Sequence, residues 1–334
     1  MHKSIDLCDG LSPEYLQEIE NFIAEWESSS DFIIVSTSGS TGIPKTIQLK
    51  KEWVRASAMA TGKFFNFQAG QSLLLNLSPH YIAGKLMIVR ALIHNMRIVL
   101  APLDQNPLEN LHLDEIDFGA FVPYQIQAIL ADTRSIANYS KIKNVIIGGA
   151  PLALEWQQKL MPLSNASYIT FGMTETITHF ALQHISKEED FYTCLPGFRI
   201  EMDARGCLVL QKNSISERLV TNDLISPIND RQFKWLGRLD FVINSGGIKI
   251  SPEQIEKRIA PLIGSSAYFI HGRASEVFGE EVVLYIEGPD DRADQNLVDE
   301  LANLLAPYER PKAIVFVPVF ERTGTGKMLR KNYR

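Results

Sequence analysis

Cysteine is scarce in this 334-residue chain: there are three, Cys8, Cys194 and Cys207, scattered far apart. That pattern excludes a disulfide framework and a CxxC-type zinc pair, and leaves small buried hydrophobes as their expected role. Cationic excess is also missing. Lysine and arginine number 33 against 39 acidic residues, a formal net charge of -6, without the basic footprint of a nucleic-acid binder or a membrane-surface protein. Small soluble partners are expected, with no nucleic acid among them. No apolar run approaches the ~20 residues of a membrane span. Met1 to Gly10 carries Lys3, Asp6 and Asp9 where a signal peptide would have its apolar core. No membrane insertion and a cytoplasmic location are therefore expected. Internal repeats and low-complexity segments are absent as well.

What is present is enough apolar material, 45% of residues, for one large domain and a small one. Ser12 and Pro13 form a cap and first turn, and Leu16, Ile19, Ile23 and Trp26 follow at helical spacing. Phe32 to Val35 reads as a short buried strand ending in a Gly/Ser/Thr cluster. Further apolar strands are expected at Leu73 to Leu77, Ile98 to Ala101, Ala120 to Val122, Val145 to Ile147 and Tyr168 to Phe171. Helical stretches such as Ile82 to Ile93 and Pro123 to Ala131 alternate with them, which argues for a mostly parallel sheet flanked by helices. Beyond about residue 195 short strands and frequent turns point to a small antiparallel subdomain. Phe241 to Asn244, Ala267 to Ile270, Val282 to Ile286 and Ile314 to Val317 are strand candidates, and Asp294 to Leu305 a helix. The expected class is thus α/β, with a large domain over 1–238 and a small α+β domain over 239–334.

The strongest local signal follows the first strand: Ser36, Thr37, Ser38, Gly39, Ser40, Thr41, Gly42, Ile43, Pro44, Lys45. Glycines let backbone amides approach a phosphate, hydroxyls add donors, and Lys45 adds a positive charge to the same loop. It is neither a Walker loop, which ends in Gly-Lys-Ser/Thr at a helix start, nor a GxGxxG dinucleotide loop. The alternative is a Ser/Gly linker, which the preceding strand and the Pro-Lys ending disfavour. The decapeptide resembles the phosphate-binding loop of the adenylate-forming superfamily, which includes acyl- and aryl-CoA ligases and peptide-synthetase adenylation domains.

Other motifs of that superfamily appear in order. Gly148, Gly149, Ala150 and Pro151 resemble its adenine-side loop, and Phe171, Gly172, Met173, Thr174, Glu175, Thr176 its Tyr-Gly-Met-Thr-Glu motif. By that resemblance Thr174 touches the α-phosphate of ATP and Glu175 holds Mg²⁺. A carboxylate beside a phosphate loop is physically reasonable when a hard cation lies between the two anions. Thr221, Asn222 and Asp223 resemble Thr-Gly-Asp, whose aspartate accepts from ribose hydroxyls. Asn222 replaces the glycine, and asparagine tolerates a left-handed turn. Gly237, Arg238, Leu239, Asp240 and then Ser245, Gly246, Gly247, Ile248, Lys249, Ile250, Ser251, Pro252, Glu253 resemble the interdomain signature. It implies Arg238 on ribose or phosphate, Asp240 as the hinge of a mobile small domain, and Ser245 to Gly247 against the pantetheine arm of coenzyme A. Taken without the family, Arg238 and Asp240 are a surface ion pair and the glycines a hairpin. Arg322, Thr323, Gly324, Thr325, Gly326, Lys327 resemble the loop that delivers a catalytic lysine.

The resemblance implies an acid–thiol ligase. A carboxylate attacks the α-phosphorus of ATP to give acyl-AMP, and a thiol then takes the acyl group. Ser78, Pro79, His80, Tyr81, Ile82, Ala83, Gly84 resemble the family's Pro-x-His loop at the acyl pocket, implying catalytic or gating duty for His80, with Ala83 and Gly84 beside the substrate. A capping or core histidine is the plainer reading. Lys85 and Arg90 follow on an otherwise apolar helix; five residues apart, they face different directions, so one of them is expected to reach the pocket. A cation there suits a second carboxylate. The stretch is similar to what is expected of compact o-succinylbenzoate–CoA ligases of menaquinone biosynthesis. The alternative is an enzyme loading another aryl or acyl acid onto CoA or onto a carrier protein's phosphopantetheine. Superfamily members usually carry a much longer segment ahead of the phosphate loop. The large domain is therefore expected either to cover an exposed face in a homodimer or to have a shallower acyl pocket.

Overall fold

The first helix starts where the sequence places it: the side chain of Ser12 accepts from the amide of Tyr15 at 3.2 Å, and Pro13 opens the first turn. Tyr15, Ile19, Phe22, Ile23 and Trp26 are buried along one face. The computed structural model describes residues 5–6, 11–37, 45–212, 215–264, 266–289, 295–322 and 328–333. They fall into two units, one ending at Phe198 and one beginning at Arg199. Among the described residues no helix is long and apolar enough to cross a membrane.

The first unit contains β1 (Ile5–Asp6), α1 (Pro13–Glu27), β2 (Phe32–Thr37), β3 (Lys45–Lys50), α2 (Lys51–Phe65), β4 (Ser72–Leu75), α3 (Ile82–His94) and β5 (Arg97–Leu100). It continues through β6 (Ile116–Phe121), α4 (Pro123–Ile129), α5 (Thr133–Tyr139), β7 (Ile142–Ile147), α6 (Leu154–Leu160), β8 (Ala166–Gly172), β9 (His179–His184) and β10 (Tyr192–Cys194). The main sheet has the order β1-β5-β4-β6-β7-β8-β9-β10. It is parallel as far as β8, and β9 and β10 are added antiparallel. The five expected parallel strands are all in it. Leu73, Leu74 and Leu75 of β4 have no exposed surface, as befits a central strand covered on both faces. Helices α2 and α3 both stop at an asparagine with positive φ, Asn66 (54°) and Asn95 (51°), the residue best able after glycine to end a helix left-handed.

The strand at Phe32 to Val35 needs correction: it does not lie in the main sheet. As part of β2 it pairs with β3 in a two-stranded antiparallel hairpin. Ile33 and Val35 are buried, while Phe32 and Ile34 remain 39% and 53% exposed. The four-residue apolar run therefore hides a period of two, because only one face of the hairpin is covered.

From the unit boundary onward β11 (Phe198–Met202, its first residue the last of the first unit), β12 (Cys207–Lys212), β13 (Ile215–Pro227) and β14 (Gln232–Arg238) lie side by side. β12–β13 and β13–β14 pair antiparallel. The chain continues as β15 (Ile243–Ser245), β16 (Ile248–Ile250), α7 (Pro252–Ile263), β17 (Tyr268–Ser275), β18 (Gly279–Glu287), α8 (Gln295–Leu304) and β19 (Ala313–Val317). These strands form a five-stranded sheet in the order β16-β15-β18-β17, with β19 added parallel to β18. Val282, Leu284 and Ile286 of β18 pack with Ile255, Ile259, Leu301 and Leu305 on one face. Val283 and Tyr285 pack with Phe269, Val317 and Phe320 on the other. Strict alternation along one strand thus builds two small cores. Cys194 and Cys207 are both buried and unbridged, as expected; Cys8 lies outside the described residues.

Candidate functional site

In an open parallel sheet, side chains beyond the carboxyl ends of the strands are the ones free to meet a ligand, above all where the strand order reverses. Here the chain passes from β4 outward to β5 and then back to β6 on the other side of β4. The first-unit candidates follow β4, β7 and β8 at that end.

After β4 comes Ser78 to Gly84. His80 is exposed; its amide donates to Ser78 Oγ at 3.1 Å, and its ring meets Tyr81 edge-on at 5.1 Å. It is neither core nor a cap, since Tyr81 occupies the position before α3. Ala83 is exposed and Gly84 buried. Lys85 and Arg90, on the same helix, have different surroundings. The Lys85 ammonium lies 3.2 Å from Glu25 of α1 and 4.1 Å from the centre of the Phe22 ring. Glu25 in turn accepts from the Ile34 amide at 2.7 Å. Arg90 is 2% exposed and has no carboxylate partner among the described residues. Its Nε is unbonded, its Nη1 reaches Met87 Sδ at 3.4 Å, and its guanidinium lies 6.0 Å from the Phe118 ring centre. Burial pushes its pKa down to about 9, the signature of a cation without a counter-ion.

After β7, Gly149, Ala150 and Pro151 are exposed, and the amide of Gly148 donates to the carbonyl of Phe121 at 3.1 Å. After β8 the chain turns at Met173 into a single 3₁₀ turn, Thr174–Thr176. Thr176 fastens that turn. Its hydroxyl accepts from the Met173 amide at 3.0 Å and lies 2.8 Å from the Met173 carbonyl and 2.5 Å from that of Thr178. Gly172 is required by close approach, since a Cβ there would sit 2.3 Å from the Thr178 carbonyl. Ile177 has φ of 70°, a strained conformation for a β-branched residue, held by the hydrogen bonds on either side of it. Glu175 is left exposed on this anchored turn. Phe171 packs edge-on against Phe180 at 5.5 Å and lies tilted against Tyr192 at 5.0 Å.

The phosphate-loop candidates are bracketed and not seen. Thr37 and Lys45 are paired at the ends of β2 and β3. Ser38, Gly39, Ser40, Thr41, Gly42, Ile43 and Pro44 between them lie outside the described residues, as do the side chains of Ser36, Thr37, Lys45 and Thr174. Arg322 and Met328 likewise pair across a segment that includes Lys327, and Lys327 lies outside the described residues.

In the second unit Thr221, Asn222 and Asp223 sit in β13, not in a turn. The left-handed backbone that asparagine tolerates is not used here: Asn222 is not among the positive-φ residues. Its side chain instead donates to Asp240 Oδ1 at 2.9 Å and accepts from Arg205 at 3.1 Å. Asp223 is buried, and its Oδ1 accepts from the Trp235 indole at 3.0 Å. Trp235, on the paired strand β14, carried no motif signal in the sequence. Arg238 and Asp240 form a half-exposed ion pair at 2.5 Å, and Ser245 to Gly247 form the turn of the β15–β16 hairpin. Both plain readings of that stretch are borne out as geometry.

One buried group has no counterpart in the motif reading. His179 opens β9 beside Gly172, is 7% exposed, and lies 3.4 Å from Thr61 Oγ1. Burial, and then the charge of Arg90, hold its imidazole well below the ordinary histidine range.

Comparison with known proteins agrees with this layout. A family model described as AMP-binding enzyme matches residues 12–201. The 2-succinylbenzoate–CoA ligase of Escherichia coli (strain K12) is 25% identical over an alignment 337 positions long, gaps included, that covers 96% of this chain and 72% of that protein. An acyl-CoA synthetase (AMP-forming)/AMP-acid ligase II-like protein from Dyadobacter fermentans DSM 18053 superposes with a TM-score of 0.67 at 34% identity, covering 95% of this chain and 92% of that one. The O-succinylbenzoate coenzyme A synthetase of Bacillus subtilis, in complex with ATP and magnesium ion, shares the fold with a TM-score of 0.74 at 20% identity, over 89% of this chain and 68% of its own.

Proposed function

The chain belongs to the AMP-binding enzyme family, and on that premise we propose that it is an ATP-dependent acid–CoA ligase acting on o-succinylbenzoate, an aromatic acid with a second carboxylate. The observation that carries the substrate is Arg90. A buried guanidinium without an acid is costly, and a substrate carboxylate supplies what the fold omits. Lys85 is already neutralised by Glu25. The relative from Escherichia coli, named for the same substrate, supports the reading.

In the first step a carboxylate oxygen attacks the α-phosphorus, the bond to the bridging oxygen breaks, and pyrophosphate leaves. Both reactants are anionic, so the residues must counter charge and hold the line of attack. We assign the phosphates to the loop of Ser36 to Lys45 and the α-phosphate to Thr174. The adenine lies beside Gly149, Ala150, Pro151, Phe171, Gly172 and Met173. Asp223 takes the ribose hydroxyls, Arg238 a ribose or phosphate oxygen, and Lys327 bridges carboxylate and phosphate. Glu175 is exposed and belongs to no cluster of three potential ligands among the described residues. That fits Mg²⁺, which binds through one or two carboxylates together with substrate phosphates. When bound there it neutralises charge developing on the triphosphate.

In the second step the thiol sulfur attacks the acyl carbon, the acyl–phosphate bond breaks, and AMP leaves with its electron pair. We assign Asp240 as the hinge between the two steps and Ser245, Gly246 and Gly247 to the pantetheine arm; His80, Ala83 and Gly84 line the acyl side. We assign the reaction to the cytoplasm because its co-substrates ATP and CoA are available there. A homodimer belongs to the same proposal, and light scattering decides it. The function itself is tested by mass spectrometry of a mixture of protein, ATP, Mg²⁺, CoA and o-succinylbenzoate. The CoA thioester of o-succinylbenzoate and AMP are expected; ADP, or no thioester, contradicts the assignment.

A further inference from the structure

The last residues before Asp240 are gripped by the first turn of the helix that follows it. Ser251 stands at the position before α7, ahead of Pro252, where a serine ordinarily caps its own helix. Its hydroxyl makes no cap bond. It donates to the carbonyl of Leu236 in β14 at 2.6 Å and lies 3.3 Å from Glu253 Oε2. Gln254 donates to the same carbonyl at 2.9 Å and to that of Trp235 at 3.4 Å. Glu253, 8% exposed, accepts from the amide of Arg238 at 3.3 Å. Between these contacts stands Gly237, with φ of 133°. A Cβ there would lie 2.5 Å from Glu253 Oε2 and 2.6 Å from Ser251 Oγ, so the grip closes only over a glycine.

The 3₁₀ turn Leu239–Phe241, which carries Asp240, thus lies between two segments that are hydrogen-bonded to each other. A rotation at Asp240 that moves α7 relative to β14 cannot leave those bonds intact. We propose that Ser251, Glu253 and Gln254 are positioning residues, a latch on β14 that holds one orientation about Asp240 and must open for the enzyme to pass between acyl-AMP formation and thioester formation. The inference rests on the two-step reading above for its functional half. Its structural half stands on these contacts alone. The residues touch no substrate; they act by setting which half-reaction the hinge favours. Weakening them shifts the balance between the two steps, whereas a merely structural role lowers both together.

The test compares the wild type, the double variant Ser251→Ala/Gln254→Ala, Gly237→Ala and the conservative Ser251→Thr. Two rates are measured: pyrophosphate release with o-succinylbenzoate, and thioester formation from supplied acyl-AMP and CoA. The ratio of the two is expected to change at least about fivefold, in the same direction, in the double variant and in Gly237→Ala, and to stay within about twofold of wild type in Ser251→Thr. An unchanged ratio, or equal loss of both rates, overturns the latch. Amide hydrogen exchange over residues 236–241 is read in parallel. It is expected to speed up at least about tenfold in the double variant, and unchanged exchange overturns the latch whatever the kinetics show. Wild-type protein that releases no pyrophosphate with any acid contradicts the functional reading instead, while the exchange comparison still decides whether the grip exists.

Discussion

The carboxylate of Glu25 lies 3.2 Å from the ammonium of Lys85, and this one contact separates two cations that the sequence could not tell apart. Of these two cations Lys85 has a carboxylate within the fold, while Arg90 is buried with its Nε unbonded, which is why the proposal places the second carboxylate of the substrate on Arg90.

Arg90→Met is expected to raise KM for o-succinylbenzoate at least about tenfold, the loss of a hydrogen-bonded charge pair, and to leave activity on a benzoate without a second carboxylate within about twofold. Lys85→Met is expected to leave that selectivity alone. It should cost on the order of 2 kcal/mol of stability, less than a fully buried pair because Glu25 keeps some access to water. Steady-state kinetics with both acids, and chemical denaturation, separate the two variants; a selectivity change in Lys85→Met reverses the assignment.

Trp235→Phe removes the indole donor to Asp223. No other side chain among the described residues donates to that carboxylate, so its orientation loosens. KM for ATP is expected to rise roughly three- to tenfold with kcat nearly unchanged, the effect of losing a hydrogen bond to a charged group. An unaltered KM for ATP speaks against Asp223 as the ribose acceptor.

The depressed imidazole of His179 gives stability a pH dependence. Burial, then Arg90, disfavours its protonation in the native state, while the unfolded chain takes up a proton below pH ~6.5. The unfolded state therefore binds more protons as pH falls, and stability declines beneath that value and is unaffected above it. His271 is depressed as well, chiefly by burial, and contributes equally to wild type and variant. Between about pH 7.5 and 5.5 the wild type is expected to lose roughly 1 kcal/mol more than His179→Gln. Melting temperatures over that range check it, and parallel curves refute it.

Much of this was legible in the sequence for physical reasons. Buried parallel strands are continuous apolar runs, so β4, β5, β6, β7 and β8 were all foreseen, and Ser12 with Pro13 marked the first helix. The β2–β3 hairpin was misplaced because a four-residue run cannot distinguish a central strand from one face of a hairpin. β9 escaped notice because His179, Gln183 and His184 break its apolar pattern. The site was legible as chemistry and not as geometry. Motif order named Asp223, Arg238 and Glu175, yet nothing local predicts that Trp235 bonds the first of them or that Glu25 pairs with Lys85. Those pairings are long-range contacts that only the fold makes.

Lys327→Ala is expected to lower acyl-AMP formation by about 10²–10³-fold, the usual loss for one charge-stabilising donor, and to leave thioester formation from supplied acyl-AMP largely intact. Rapid-quench measurement of the two steps distinguishes them. Equal loss of both assigns the lysine elsewhere.

The most direct test of the central claim is pyrophosphate release by purified protein with ATP and Mg²⁺ across o-succinylbenzoate, simple benzoates and fatty acids, each with and without CoA. Release with o-succinylbenzoate is expected well above that with the other acids, with sustained turnover only when CoA is present. Release that is indifferent to a second carboxylate contradicts the role of Arg90, and no release with any acid contradicts acid activation itself.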